Sequence, residues 1–192
     1  MITMTIRAFL ALPLSLEQVR DLSVLAGRLK QNVEYSNLNW IKAHNFHLTM
    51  RFLGNIQQRD IEELDQQLIY HLEKSASFAL TFDILTLIPN TTKPKVLALT
   101  AVKTTAIQDC LKSIDRALHA ANIHLKKRRF IPHITIARIP KGQTITGNYL
   151  DLNIEKHLNF TKLQLIKSQL TKEGPIYTLE SQYPLVVNTT NN

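Results

Sequence analysis

Cysteine is almost absent from this chain of 192 residues, where Cys110 stands alone. A single thiol cannot form an internal disulfide, so the fold rests on its core, which fits a reducing compartment. Glycine is scarce too, with 5 residues at positions 27, 54, 142, 147 and 174. None of them is followed by lysine and none belongs to a dinucleotide fingerprint, which excludes a P-loop and makes ATP-driven or hydride chemistry unexpected. No serine stands in a nucleophile elbow. His44 and His47 are close in sequence, but no Glu or third His stands at a spacing that completes a metal set. Neither a metal nor another cofactor is therefore expected. Long apolar runs are also missing. Ala8 to Leu14 is too short to span a bilayer, contains Pro13 and lacks a small-residue cleavage pattern, so it reads as a strand. The expected location is the cytoplasm, with no membrane partner.

What is present is an ordinary globular composition with an unusual charge. The chain is 44% hydrophobic and 20% charged, and its 23 Lys and Arg against 15 Asp and Glu give a net charge of +8. That length and composition support one domain or two tightly joined lobes, and the expected bounds are a domain over residues 1–187 followed by a polar tail, residues 188–192. The basic run Lys126-Lys127-Arg128-Arg129 favours an anionic ligand.

Periodicity supplies the elements. Ile6 to Leu12 reads as a strand, and Ser15-Leu16-Glu17-Gln18 is a capping-box pattern opening a helix with Val19, Leu22, Leu25, Ala26 and Leu29 at helical spacing. A strand over Phe46 to Leu53 precedes a helix over Gln57 to Leu72. Strands over Phe78 to Ile88 and Lys95 to Val102 flank the turn-forming segment from Pro89 to Pro94. A helix over Thr105 to Ala121, a connecting loop over Lys141 to Asn159, and strands over Thr161 to Leu170 and Tyr177 to Val187 complete the chain. Cys110 falls on the apolar side of its helix and reads as core.

Two strings carry the chemistry: His47-Leu48-Thr49-Met50 and His133-Ile134-Thr135-Ile136. In a strand, residues two apart share a face, so each string presents an imidazole and a hydroxyl together and turns its apolar residues to a core. The order strand, helix, His-x-Thr strand occurs twice, from about residue 6 to 54 and from about 95 to 139. The expected fold is therefore α+β, with two pseudo-symmetric lobes whose antiparallel sheets surround a central cleft and bring His47 and His133 together. Arg138 lies five residues beyond His133, so strict alternation turns it to the opposite face unless the strand ends, bends or bulges after Thr135. Phe46, Phe52 and Phe130 read as core, with stacking on a nucleobase as the alternative, and Trp40 reads as a lip of the cleft. His44, His71, His119, His124 and His157 have no such frame and read as surface residues.

The strings sit in longer blocks, from Arg7 to Pro13, from Asn45 to Gly54, from Arg128 to Arg138 and from Lys167 to Leu170. Together these resemble the 2H phosphoesterase superfamily and, within it, the RNA 2′,3′-cyclic phosphodiesterases, also described as 2′-5′ RNA ligases. The resemblance implies metal-independent hydrolysis of RNA 2′,3′-cyclic phosphate ends to a 2′-phosphate, with reversible 2′-5′ ligation as an accompanying capacity. The catalytic set it implies is His47, His133, Thr49 and Thr135, with Arg138 binding the phosphate. His47 is the implied proton donor to the leaving 3′ oxygen and His133 the acceptor from water. The expected partner is an RNA or oligonucleotide with a 2′,3′-cyclic phosphate, and the expected state is a monomer. A 2′,5′-phosphodiesterase and a non-catalytic RNA-binding module are the alternatives. Two matched acid-base groups are more than binding requires.

Overall fold

A computed structural model describes residues 5–31, 37–126, 129–143, 145, 154–172 and 174–187. The elements in chain order are β1 (Thr5–Pro13), α1 (Leu16–Lys30), β2 (Asn39–Trp40), a 3-10 turn (Ala43–Asn45), β3 (His47–Gln57), α2 (Asp60–Leu72), β4 (Phe78–Ile88), β5 (Val96–Ala101), α3 (Thr105–Ala120), β6 (His133–Arg138), β7 (Lys156–Phe160), β8 (Lys162–Thr171) and β9 (Gly174–Pro184). The polar tail, residues 188–192, lies outside the described residues, as do Lys127 and Arg128 of the basic run.

Local chemistry explains where the helices begin. The Ser15 hydroxyl accepts from the Gln18 backbone N–H at 3.2 Å, while the Gln18 side chain accepts from the Ser15 N–H at 2.8 Å. Both bonds of the capping box are thus formed, and α1 buries Leu22, Leu25, Ala26 and Leu29. The Thr104 side chain caps α3, accepting from the Ile107 backbone N–H. α2 starts at Asp60 rather than at Gln57, because the ladder with β1 keeps the backbone extended as far as Gln57, opposite Thr5. Its first turn carries Asp60, Glu62 and Glu63, which favour a helix N-terminus.

The strands form one sheet in the order β7-β4-β5-β6-β3-β1-β8-β9, with β2 added beside β6. Every ladder in it is antiparallel. The sheet is strongly curled, and the architecture is α+β as expected. The two expected sheets are the two halves of this one, each with its His-x-Thr strand innermost, joined where Leu48 of β3 pairs with Ile134 of β6. The expected loop over Lys141 to Asn159 is corrected at its end. Lys156–Phe160 is β7, which buries Leu158 and Phe160 and pairs with β4 over Phe78 to Phe82.

Most of the core lies on one face of the sheet, beneath the helices. It includes Leu10, Leu12, Leu48 and Met50 from one half, and Leu97, Leu99, Ile134 and Ile136 from the other. Phe46 belongs to it and Phe130 packs against it, as the sequence suggests. Trp40 also packs against this core, and its half of the short β2 pairs with Ala137, so it is not a lip of the cleft. Elsewhere α2 is fastened to β9: the Ser181 hydroxyl donates to Asp65 at 2.9 Å and the Tyr183 hydroxyl donates to the same carboxylate.

Leu48 is fully buried at the join of the halves. Leu48→Ala is expected to destabilise the protein by about 2–5 kcal/mol, from lost transfer energy plus the cavity left behind. Urea denaturation measures this, and a loss well below that range shows that the join is not packed as described.

Candidate active site

The site is assembled by β3 and β6 at the centre of the sheet. Leu48 and Ile134 are paired and fully buried, so the antiparallel register sets His47 opposite Thr135 and Thr49 opposite His133 on the other face. All four side chains are half-buried there. The two alternations in the sequence therefore become one cluster of two imidazoles and two hydroxyls.

Each imidazole is held in the same way. His47 Nδ1 lies 2.7 Å from the carbonyl of Asn45, and His133 Nδ1 lies 2.8 Å from the carbonyl of Ile131. A carbonyl oxygen only accepts, so both Nδ1 atoms carry hydrogen and each Nε2 is left as the working nitrogen. His47 Nε2 is 3.0 Å from the Thr49 hydroxyl. The turn Ala43–Asn45 supplies the first carbonyl, which gives that short element its role.

Bulges decide what else faces the site. On β6, Ala98 pairs with Thr135 but Leu97 pairs with Ala137, so Ile136 is the extra residue. Ile136 and Ala137 are both fully buried, and Arg138 emerges exposed on the same face as His133 and Thr135. This is the break in alternation that Arg138 requires. On β3, Ala11 pairs with Thr49 but Leu10 pairs with Arg51, making Met50 the extra residue. The fourth residue of each string is thus a bulge. The counterpart of Arg138 is then Phe52, five residues beyond its own histidine, and its ring is 60% exposed on the site face. The expectation that Phe52 is core fails because it counts alternation straight through the bulge. His44, His119, His124 and His157 are exposed and His71 is half-buried. Lys126 and Arg129 of the basic run are exposed.

A small apolar cluster lines the same face beside His47, formed by Phe9, Ala11 and Ile166 with Tyr177 against them. Phe9 lies 5.0 Å from the His47 ring, 5.1 Å from Tyr177 and 6.0 Å from Phe52, between ring centroids. Tyr177 meets His47 edge-on at 5.6 Å. Burial among these groups lowers the His47 pKa to about 4, against the pull of the Asn45 carbonyl, and repulsion from His133 and Arg138 lowers it further. His47 is accordingly neutral at pH 7. Sequence reasoning missed Tyr177, which only the return of β9 brings to the site. It also missed Asp115 of α3, whose carboxylate accepts from Arg51 Nε and Nη2, each at 2.7 Å, binding β3 to α3. The same guanidinium lies 5.8 Å from the Phe130 ring, ahead of β6. Among the described residues, no three His, Cys, Asp or Glu side chains are grouped to hold a metal ion.

A curled antiparallel sheet with paired His-x-Thr strands at its centre is the arrangement that the resemblance to the 2H phosphoesterases implies. Residues 12–98 match the model of the LigT-like phosphoesterases. A relative from Aquifex aeolicus, named RNA 2′,3′-cyclic phosphodiesterase, is 28% identical over 179 residues, covering 86% of this chain and 92% of its own. One of the same name from Methanothermobacter thermautotrophicus is 25% identical over 182 residues, covering 91% and 96%. Among solved structures, a Thermus thermophilus protein superposes with a TM-score of 0.77 at 20% identity, covering 93% of this chain and 97% of its own. Escherichia coli LigT complexed with 3′-AMP superposes with a TM-score of 0.74 at 20% identity, covering 95% and 99%. Over residues 12–98, and in its fold as a whole, the chain is similar to the LigT-like phosphoesterases of the 2H superfamily. No helix of the described residues is long and apolar enough to cross a membrane.

A titration checks the electrostatics. In the free protein His47 is expected to stay neutral down to about pH 4, and Tyr177→Ala, which opens its ring to water, is expected to raise that value. A group whose folded pKa lies below its unfolded value binds protons preferentially when unfolded, so its contribution to stability fades as pH falls from about 6.5 towards the folded value. Histidine NMR reads the first effect; a His47 resonance titrating near 6.5 in the wild type contradicts the burial described.

Proposed function

We propose that the protein hydrolyses 2′,3′-cyclic phosphate ends of RNA to 2′-phosphates, with the cyclic phosphate seated between the two His-x-Thr strands. The observation that carries this reading is the pair of imidazoles on one face, each tied by Nδ1 to a backbone carbonyl so that Nε2 is left to move a proton. The names of relatives spanning most of the chain support the same substrate class.

In this reading one histidine takes a proton from water and the other gives one to the departing ribose oxygen, while Thr49 and Thr135 hydrogen-bond the non-bridging oxygens as charge develops. Arg138, brought to the face by the bulge at Ile136, binds the phosphate. His47 is the donor to the 3′ oxygen and His133 the acceptor from water. His47 is neutral in the free protein, so the bound anion completes its charging by offsetting both desolvation and the repulsion of His133 and Arg138. Phe52 offers an exposed ring beside the site for a base. 2′-5′ ligation uses the same groups in the same sense, with a 5′-hydroxyl in place of water attacking phosphorus as the 3′ oxygen departs, and cleavage of the 2′-5′ linkage runs them in reverse. We read the domain as residues 1–187, acting as a monomer in the cytoplasm and without a cofactor.

Incubation of the protein with a nucleoside 2′,3′-cyclic phosphate in EDTA tests the reaction directly. Hydrolysis to the 2′-phosphate is expected to persist, and loss on chelation with recovery on adding one metal overturns the metal-independent reading. His47→Ala and His133→Ala are each expected to lower turnover by on the order of a hundredfold to ten-thousandfold with the fold retained. Full turnover in either folded variant removes that histidine from the mechanism.

The dependence on pH is expected to be bell-shaped, because one imidazole must be neutral while the other is charged. For kcat/KM, which reports the free enzyme, the limbs belong to the coupled pair, and the acid limb, where the pair takes up its second proton and His133 can no longer accept one, is expected near about 4, the lower value that buried His47 sets. For kcat, which reports the complex, that limb moves to higher pH as the bound phosphate favours the imidazolium. A substrate whose leaving group needs no protonation is expected to rescue His47→Ala but not His133→Ala. Rescue of His133→Ala instead reverses the two roles, and a flat profile from about pH 5 to 9 under chemistry-limited conditions rules out paired-histidine catalysis.

A further inference from the structure

The half of the site face that carries Phe9 and Phe52 continues past them to a cation. The strand β1 alternates without interruption, with Ile6, Ala8, Leu10 and Leu12 buried in the main core, so Arg7 shares the opposite face with Phe9 and is exposed there. A second bulge on β3 sets its neighbours: Phe9 pairs with Phe52 but Ala8 pairs with Gly54, which makes Leu53 the extra residue and places Asn55 directly beside Arg7. On the other side Ala8 pairs with Lys167, and the register one residue further on sets Ser168 against Arg7. A cation, an amide and a hydroxyl thus stand in one row across three strands, at the far edge of the aromatic row that flanks His47.

Among the described residues, Arg7 forms no ion pair, and none of the residues that the register places on this face of β1, β3 and β8 is acidic. Among the described residues of these three strands, no carboxylate neutralises the guanidinium. Arg7 is two residues from Phe9 along the strand, a step of roughly 6–7 Å. Phe9 in turn touches the His47 ring. With the length of the arginine side chain, that spacing suits the next phosphate of a strand whose terminal phosphate lies at the histidines.

We propose that Arg7, with Asn55 and Ser168, forms a second phosphate subsite that holds the phosphodiester on the 5′ side of the terminal nucleotide. The inference rests on the cyclic phosphate being seated between the His-x-Thr strands, with its nucleoside over Phe52. The guanidinium forms charge-assisted hydrogen bonds to the non-bridging oxygens, the Asn55 amide and Ser168 hydroxyl donate alongside it, and no bond is made or broken there. Its consequence is a preference for RNA ends over free nucleosides.

The test compares adenosine 2′,3′-cyclic phosphate with the same compound bearing a 5′-phosphate. For the wild type, kcat/KM is expected to be about tenfold higher for the 5′-phosphorylated substrate, the return from one charged hydrogen-bonding contact. In Arg7→Gln the ratio between the two substrates is expected to fall to about one, with most of it retained in Arg7→Lys. Lys112→Gln, an exposed cation on α3, is expected to leave the ratio as in the wild type. Raising the salt concentration is expected to shrink the wild-type ratio. Hydrolysis of both substrates with no preference in the wild type, or with the preference intact in Arg7→Gln, overturns the subsite and leaves the proposed activity standing. Hydrolysis of neither substrate overturns the proposed activity, and the subsite falls with it.

Discussion

The site depends on a single backbone contact. The two halves of the sheet meet where Leu48 pairs with Ile134, and that pair alone fixes how the histidines and threonines of the two strands oppose one another. A slip of one residue there would send all four polar side chains into the core and turn Leu48 and Ile134 outward. Burying two large aliphatic residues against leaving two imidazoles unsolvated makes that slip very unfavourable. The hydrophobic effect, which knows nothing of catalysis, is what enforces the register on which the chemistry rests.

The paired bulges follow from the same constraint. Past its threonine, each string must do two things: continue to feed the core and return a polar or aromatic side chain to the site face. An added residue at Met50 and at Ile136 achieves both, since each is buried while the residue two further on returns to the site. The two halves then diverge in what they return. One offers the cation Arg138 and the other the exposed ring of Phe52, so a symmetric scaffold yields a site with a charged end and an apolar end. The apolar end also depresses the basicity of His47, whereas the corresponding side chain on the β5 ladder of the other half is Val96, opposite Arg138.

Much of this was legible from local sequence. The capping box at Ser15, the helical spacing of α1 and α3, the hairpin around Pro89 and the two His-x-Thr strings are all short-range signals, and the structure carries each of them. What local pattern could not show depends on partners far along the chain. A bulge exists only relative to the neighbouring strand, so the outward turn of Phe52 could not be read from alternation. The start of α2 was hidden because Gln57 is held extended by Thr5 across the ladder. β7 is too short and polar to stand out, although Leu158 and Phe160 alternate with its polar residues. Tyr177 arrives at His47 from the opposite end of the chain, with no motif linking the two.

The outer boundaries of the sheet carry their own devices. On one side, the Gln18 side chain that helps to open α1 also donates to the carbonyl of Asn159 on β7, at 3.2 Å. On the other, β9 carries Pro175 and Pro184 near its two ends and a bulge at Glu180, where Leu165 pairs with Ser181 but Ile166 with Leu179. Proline removes a donor, a bulge breaks the repeat, and a bonded carbonyl is no longer open to a visiting strand. A broad β-sheet with free borders invites one molecule to extend its sheet with the next. These borders resist that growth, which leaves the face that carries the histidines, rather than the edges, as the part of the sheet suited to receive a ligand.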